Sequence, residues 1–147
     1  MKAFFQKKRG LRKTSKGSIN YLGENIASST PKNIRRKKIA HIPEDRTNTG
    51  LNTQLSIWEN LIGNSYFRKP LSTNGIFNLK KIAQHSNKLK EDFDIRAPNI
   101  SLKVKSLSGG NQQKVVVARE LSEDPVLTIA SQLIKEVDQD QDGQIDY

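Results

Sequence analysis

The chain has 147 residues, of which 34% are hydrophobic and 27% charged, a length and balance that suit one modest, rather polar domain. It has no cysteine, which excludes disulfides and thiolate metal sites, and no apolar run approaches the roughly 20 residues of a membrane span. The formal charge of +10 is uneven: residues 1–40 carry twelve Lys/Arg against one Glu, whereas residues 133–147 carry one Lys against five Asp/Glu.

In chain order, residues 1–16 show no hydrophobic period and hold Lys7-Lys8-Arg9, so they read as a basic disordered arm. Ser18 to Leu22 reads as a short strand, turned by Gly23 into a second strand near Asn25-Ile26. Pro31, after Ser29-Thr30, signals a helix start and predicts about two turns to Lys38. Ile39 to Ile42 reads as a short buried strand ended by Pro43. Ser56-Ile57-Trp58-Glu59 is a capping box opening a helix to about Gly63, and residues 64–77 read as a loop. Asn78 caps a second helix with Leu79, Ile82, Ala83, Leu89 and Phe93 roughly on one face. Pro98 breaks the chain. A third helix begins near Gly110-Asn111, with Val115, Val116, Ala118 and Leu121 apolar, and Pro125 precedes a buried strand from Val126 to Ala130.

The stretch that carries chemistry is Leu107-Ser108-Gly109-Gly110-Asn111-Gln112-Gln113-Lys114. Two glycines before a helix leave the backbone uncovered, so its N–H groups can approach a ligand closely. The first N–H groups of a helix lack internal partners, and the dipole there favours negative charge. Ser108 adds a hydroxyl, and the combination suits a phosphate group. A plain glycine turn capped by serine is the competing reading on geometry alone.

That stretch, followed by Val-Val-Val-Ala-Arg-Glu-Leu, resembles the signature motif of ABC transporter ATPases of the sugar and nucleoside importer type. Other segments resemble the same family's second ATPase half. Ile42-Pro43-Glu44-Asp45-Arg46 is similar to the segment replacing the usual Q-loop. Ser56 to Leu61 is similar to the helix that follows, and Phe93-Asp94-Ile95-Arg96 to the lead-in to the signature. Asp124 to Gln132 is similar to the approach to the Walker B strand, with an ending closer to the nucleoside branch than to the ribose branch. The resemblance covers about residues 10–132.

It implies an α/β fragment: a partial ABC ATPase domain over residues 17–132, with short antiparallel strands, a helical subdomain at about 55–122, and one or two core strands. It implies that Ser108, Gly109, Gly110 and Gln112 contact the terminal phosphate of ATP, with Mg, held by the opposite ATPase half. It further implies that Glu44 and Asp45 couple nucleotide to a membrane permease subunit gripped by the helical subdomain. A cytoplasmic protein at the inner face of the membrane follows from this.

The sequence holds no glycine followed by Lys-Ser or Lys-Thr, the step that enters the helix of a phosphate loop, and it diverges from the family after Gln132. The resemblance therefore implies a truncated domain lacking phosphate loop, catalytic carboxylate and switch histidine, inactive as an ATPase on its own. His41 in a strand and His85 on a helix face read as ordinary packed or solvated histidines.

Residues 133–147 differ in kind. Asp138, Asp140 and Asp142 alternate before Gly143, and with Gln144 and Asp146 they resemble an EF-hand calcium loop of calmodulin-like proteins. The pattern departs at position 12, where the bidentate acid is missing, so weak calcium binding is the expectation. Such a tail is foreign to the importer family and suggests a chimeric reading frame. Two rival functions remain: a small calcium-binding module and a basic nucleic-acid-binding protein. The basic residues lack interleaved aromatics and fall in scattered clusters, so no nucleic-acid partner is expected.

Overall fold

The computed structural model describes residues 18–43 and 50–130. They fall into two compact units, one running to His41 and resuming at Pro125, the other spanning Ile42–Asp124. The expectations for residues 1–16, for Glu44 and Asp45, and for the tail from residue 131 lie outside the described residues.

The first unit opens with the antiparallel pair β1 (Asn20–Tyr21) and β2 (Glu24–Asn25). Leu22 and Gly23 both take positive φ, 49° and 78°, the geometry of a tight two-residue turn. Helix α1 (Pro31–Arg36) starts where Thr30 accepts a hydrogen bond from the Asn33 N–H and proline supplies a preset φ. Strand β3 (Ile39–Ile42) pairs with the strand at Leu127–Ala130. A small core of Ile26, Ile34 and Ile39, flanked by Ile19 and Tyr21, holds the unit together. Lys37 bridges Glu24, and the Tyr21 hydroxyl donates to the Lys37 carbonyl.

The second unit is built from three helices: α2 (Ile57–Leu61), α3 (Leu79–Asp92) and α4 (Gly109–Leu121). All three send apolar residues into one core, with Ile57, Leu61, Val104, Val115, Val116 and Ala118 fully buried. At about 1.5–3 kcal/mol for each large side chain removed from water, this core is the unit's main stabilising term. A 3-10 turn at Val104–Ser106 leads into α4.

Two sequence expectations need correction. Residues 64–77 are more than a loop, because they contain the hairpin β4 (Ser72–Thr73) and β5 (Ile76–Phe77). Asn74 and Gly75, at φ 53° and 81°, form its turn, and an Asn-Gly pair is the signal for that geometry. Leu79 is 67% exposed rather than part of the apolar face of α3. The stripe that packs is Ile82, Ser86 and Leu89; Leu79 has the right spacing but sits at the helix's first position, where no packed layer covers it.

The final strand, β6 (Leu127–Ala130), starts after Val126, whose N–H donates to the Lys38 carbonyl. Among the described residues no helix is long and apolar enough to cross a membrane.

Candidate functional site

The candidate site is the start of α4. Ser108 is the N-cap, with extended backbone (φ −59°, ψ 156°), and its side-chain oxygen accepts from the Asn111 N–H at 3.4 Å. The same oxygen accepts from the Asn111 side-chain amide at 3.1 Å. A serine hydroxyl has two acceptor lone pairs and one donor, so Asn111 uses the acceptors and the O–H remains available to donate. Ser108, Gly109 and Gly110 are all exposed. No carboxylate lies in the first turn to occupy the dipole.

The N–H groups of Gly109 and Gly110 belong to that first turn and have no partner within the helix. A Cβ built on Gly110 would meet nothing within 4 Å. Packing therefore does not demand glycine there, and what the missing side chain leaves is open approach to the backbone.

The loop before the helix is braced from behind. The Gln112 side-chain amide donates to the carbonyls of Val104 and Leu107, at 3.3 and 3.1 Å. Its N–H groups thus tie down the loop, and only its side-chain oxygen remains uncommitted. Asn111 accepts from the Arg96 N–H at 2.9 Å, which joins the segment 94–96 to the helix start. Lys114 completes the brace by donating to both the carboxylate and the carbonyl of Asp94, at 2.6 and 2.7 Å. The Lys114 ammonium, followed by Arg96, holds the Asp94 carboxyl below its ordinary value. Asp94 takes φ 47°, a left-handed turn that carries the chain past the helix end.

The structure places the expected residues Ser108, Gly109, Gly110 and Gln112 together at this helix start, and adds Asn111 and Asp94 as the residues that brace it. The Ser108–Asn111 spacing across a helix start was the signal for the first of these. Asp94 reaches Lys114 only through the fold. Glu44 and Asp45 lie outside the described residues, as do Asp138, Asp140, Asp142, Gln144 and Asp146. Among the described residues no group of three His, Cys, Asp or Glu is placed to hold a metal ion.

A protein-family model described as ABC transporter matches residues 5–131. The chain belongs to the ABC transporter family. It is 37% identical over 138 residues to the nucleoside import ATP-binding protein NupA of Lactococcus lactis subsp. cremoris strain MG1363, covering 94% of this chain and 27% of that protein. It is 38% identical over 129 residues to the guanosine import ATP-binding protein NupO of Bacillus subtilis strain 168, covering 88% and 25%. The xylose import ATP-binding protein XylG of Thermoanaerobacter pseudethanolicus is 36% identical over 122 residues, covering 83% and 24%. The chain therefore spans about a quarter of the length of these curated relatives.

Among solved structures, the ATP-binding cassette MJ0796, described as a dimer in a post-hydrolysis state with ADP and Pi, superposes with a TM-score of 0.65. The match covers 88% of this chain and 54% of that one at 20% identity, and it shows the fold to be that of a partial ABC ATPase. The expected α/β fragment, with short antiparallel strands, helices and a pair of core strands, is the architecture found.

Proposed function

We propose that this chain is part of the ATP-binding subunit of an importer for nucleosides or simple sugars, and that the start of α4 binds the terminal phosphate of ATP held by a second ATPase half. The observation that carries it is the pair of exposed first-turn N–H groups at Gly109 and Gly110 beside a Ser108 hydroxyl available to donate. Backbone donors without helical partners, next to a serine hydroxyl at the positive end of a 13-residue helix, suit a phosphate group. The names of NupA and NupO support a nucleoside as cargo.

In this reading the chain's residues do three things. Gly109, Gly110 and Ser108 donate to the phosphate. Asn111 fixes the hydroxyl's direction, and Gln112, placed by the sequence reading among the contacts, spends its amide N–H groups on holding the loop. ATP supplies the phosphate, held with its Mg by the partner half. The helical subdomain at about 55–122 docks the permease subunit, with Glu44 and Asp45 on the coupling segment, at the cytoplasmic face of the membrane.

The test is association. The chain alone turns over no ATP above background. Mixed with a nucleotide-loaded ATPase half of a nucleoside importer, it associates in an ATP-dependent way, and Gly110→Arg ends that association. ATP turnover by the chain alone that is abolished by Ser108→Ala would overturn the reading.

A further inference from the structure

The second unit holds a cleft of about 300 Å³ that shares no residue with the start of α4. It lies between the segment Arg68–Leu71 and the middle of α3, with Glu123 at its side. Its charged lining is one-sided: Arg68, Lys69, Lys81 and Lys88 against the single carboxylate of Glu123. Glu123 is engaged by Arg68, and Lys88 bridges Asp92 at 2.9 Å on its own helix. Lys69 and Lys81 have no carboxylate partner among the described residues.

His85 stands in the same wall. It is half-buried, and its Nε2 is shielded from solvent with no hydrogen-bond partner. A buried polar nitrogen left unsatisfied calls for a partner or a function. Burial holds the ring's pKa below its ordinary value, opposed by the Glu123 carboxylate.

We propose that this cleft is a binding site for a small phosphate-type anion, of the size of pyrophosphate, with Lys69 and Lys81 as its principal charge partners and His85 as a proton-coupled one. The unpaired ammonium groups supply attraction without first breaking an ion pair. A polyanion in the cleft offsets the neighbouring cations, so it favours the protonated form of His85. Binding therefore favours proton uptake at His85. The site does not depend on the proposed role of α4, because it uses none of the residues of that helix start.

The experiment is a titration of the 147-residue chain with inorganic pyrophosphate at constant ionic strength, followed by amide NMR and calorimetry. The shifts should map to residues 68–71 and 81–88. Lys69→Gln with Lys81→Gln should weaken binding by about tenfold or more. His85→Gln should change how affinity varies between pH 8 and pH 6. Overturning results are shifts confined to Gly109 and Gly110, affinity unchanged in the double lysine variant, or a pH dependence that His85→Gln leaves unaltered. Ser108→Ala, which alters the other anion site only, should leave the amide shifts at residues 68–71 and 81–88 unchanged.

Discussion

Two helices of the second unit begin with a serine cap, and they are finished in opposite ways. At α2 every early donor is used. Ser56 and Glu59 exchange hydrogen bonds, and the N–H groups of Ile57 and Trp58 donate to the carbonyls of Leu102 and Ile100. Asn60 seals the rear, bonding both the N–H and the carbonyl of Asn52 and the carbonyl of Ser56. At α4 the cap is exposed, the first turn has no acid, and two glycines follow. The same cap chemistry therefore makes a structural joint when the chain supplies the acceptors, and leaves backbone donors open, as the proposed phosphate site requires, when it does not.

The largest expected effect tests the joint. Asn60 is 4% exposed and its side chain makes three hydrogen bonds, so Asn60→Ala removes all three and leaves a void at the joint. We expect a loss of about 2–3 kcal/mol in denaturant unfolding. A loss below ~0.5 kcal/mol would mean that α2 is not sealed.

Next comes the pair of serines. Ser56→Ala should cost about 1 kcal/mol or somewhat more, and Ser108→Ala, whose cap bond is long and exposed, less than ~0.5 kcal/mol. Equal costs in urea unfolding would erase the distinction between the two starts.

Gly110→Ala sharpens it in the other direction. The added methyl meets nothing, and alanine is the better helix former, so the variant should be more stable by up to about 0.5–1 kcal/mol while binding phosphate more weakly. A destabilised variant would show that the glycine serves packing instead.

The smallest effect is in pH. The Ser56 hydroxyl and backbone N–H hold the Glu59 carboxyl below its usual value of 4.5. A depressed carboxylate contributes stability that is fully present above its unfolded pKa and is lost as pH falls through the folded value. Stability should therefore drop below about pH 4.5, and Ser56→Ala should shrink that drop when melting is followed from pH 6 to pH 3.

Much of this contrast was legible in the chain. Ser56 with Glu59 three residues on, and Ser108 before two glycines, are local patterns whose partners lie within one helical turn, so the cap positions of α2, α3 and α4 could be read directly. What escaped was either unread or non-local. Asn74-Gly75 announces the β4–β5 hairpin, but strands of two residues carry no alternation to confirm it. Buried Glu120 is balanced by Arg119 and by Asn64, far back in the sequence, and no periodicity reports such a pairing. The brace of Asp94 on Lys114 is likewise set by how the lead-in segment folds back. Ser86, which the apolar positions of α3 do not include, is fully buried as well.

The contrast between a sealed and an open helix start is tested most directly by titrating the chain with inorganic phosphate and following every backbone amide by NMR. The account predicts saturable shifts at Gly109 and Gly110, reduced by Ser108→Ala and by Asn111→Ala, with Ile57 and Trp58 unmoved. Shifts at Ile57 and Trp58 as large as those at the glycines, or none at the glycines under saturating phosphate, would contradict it.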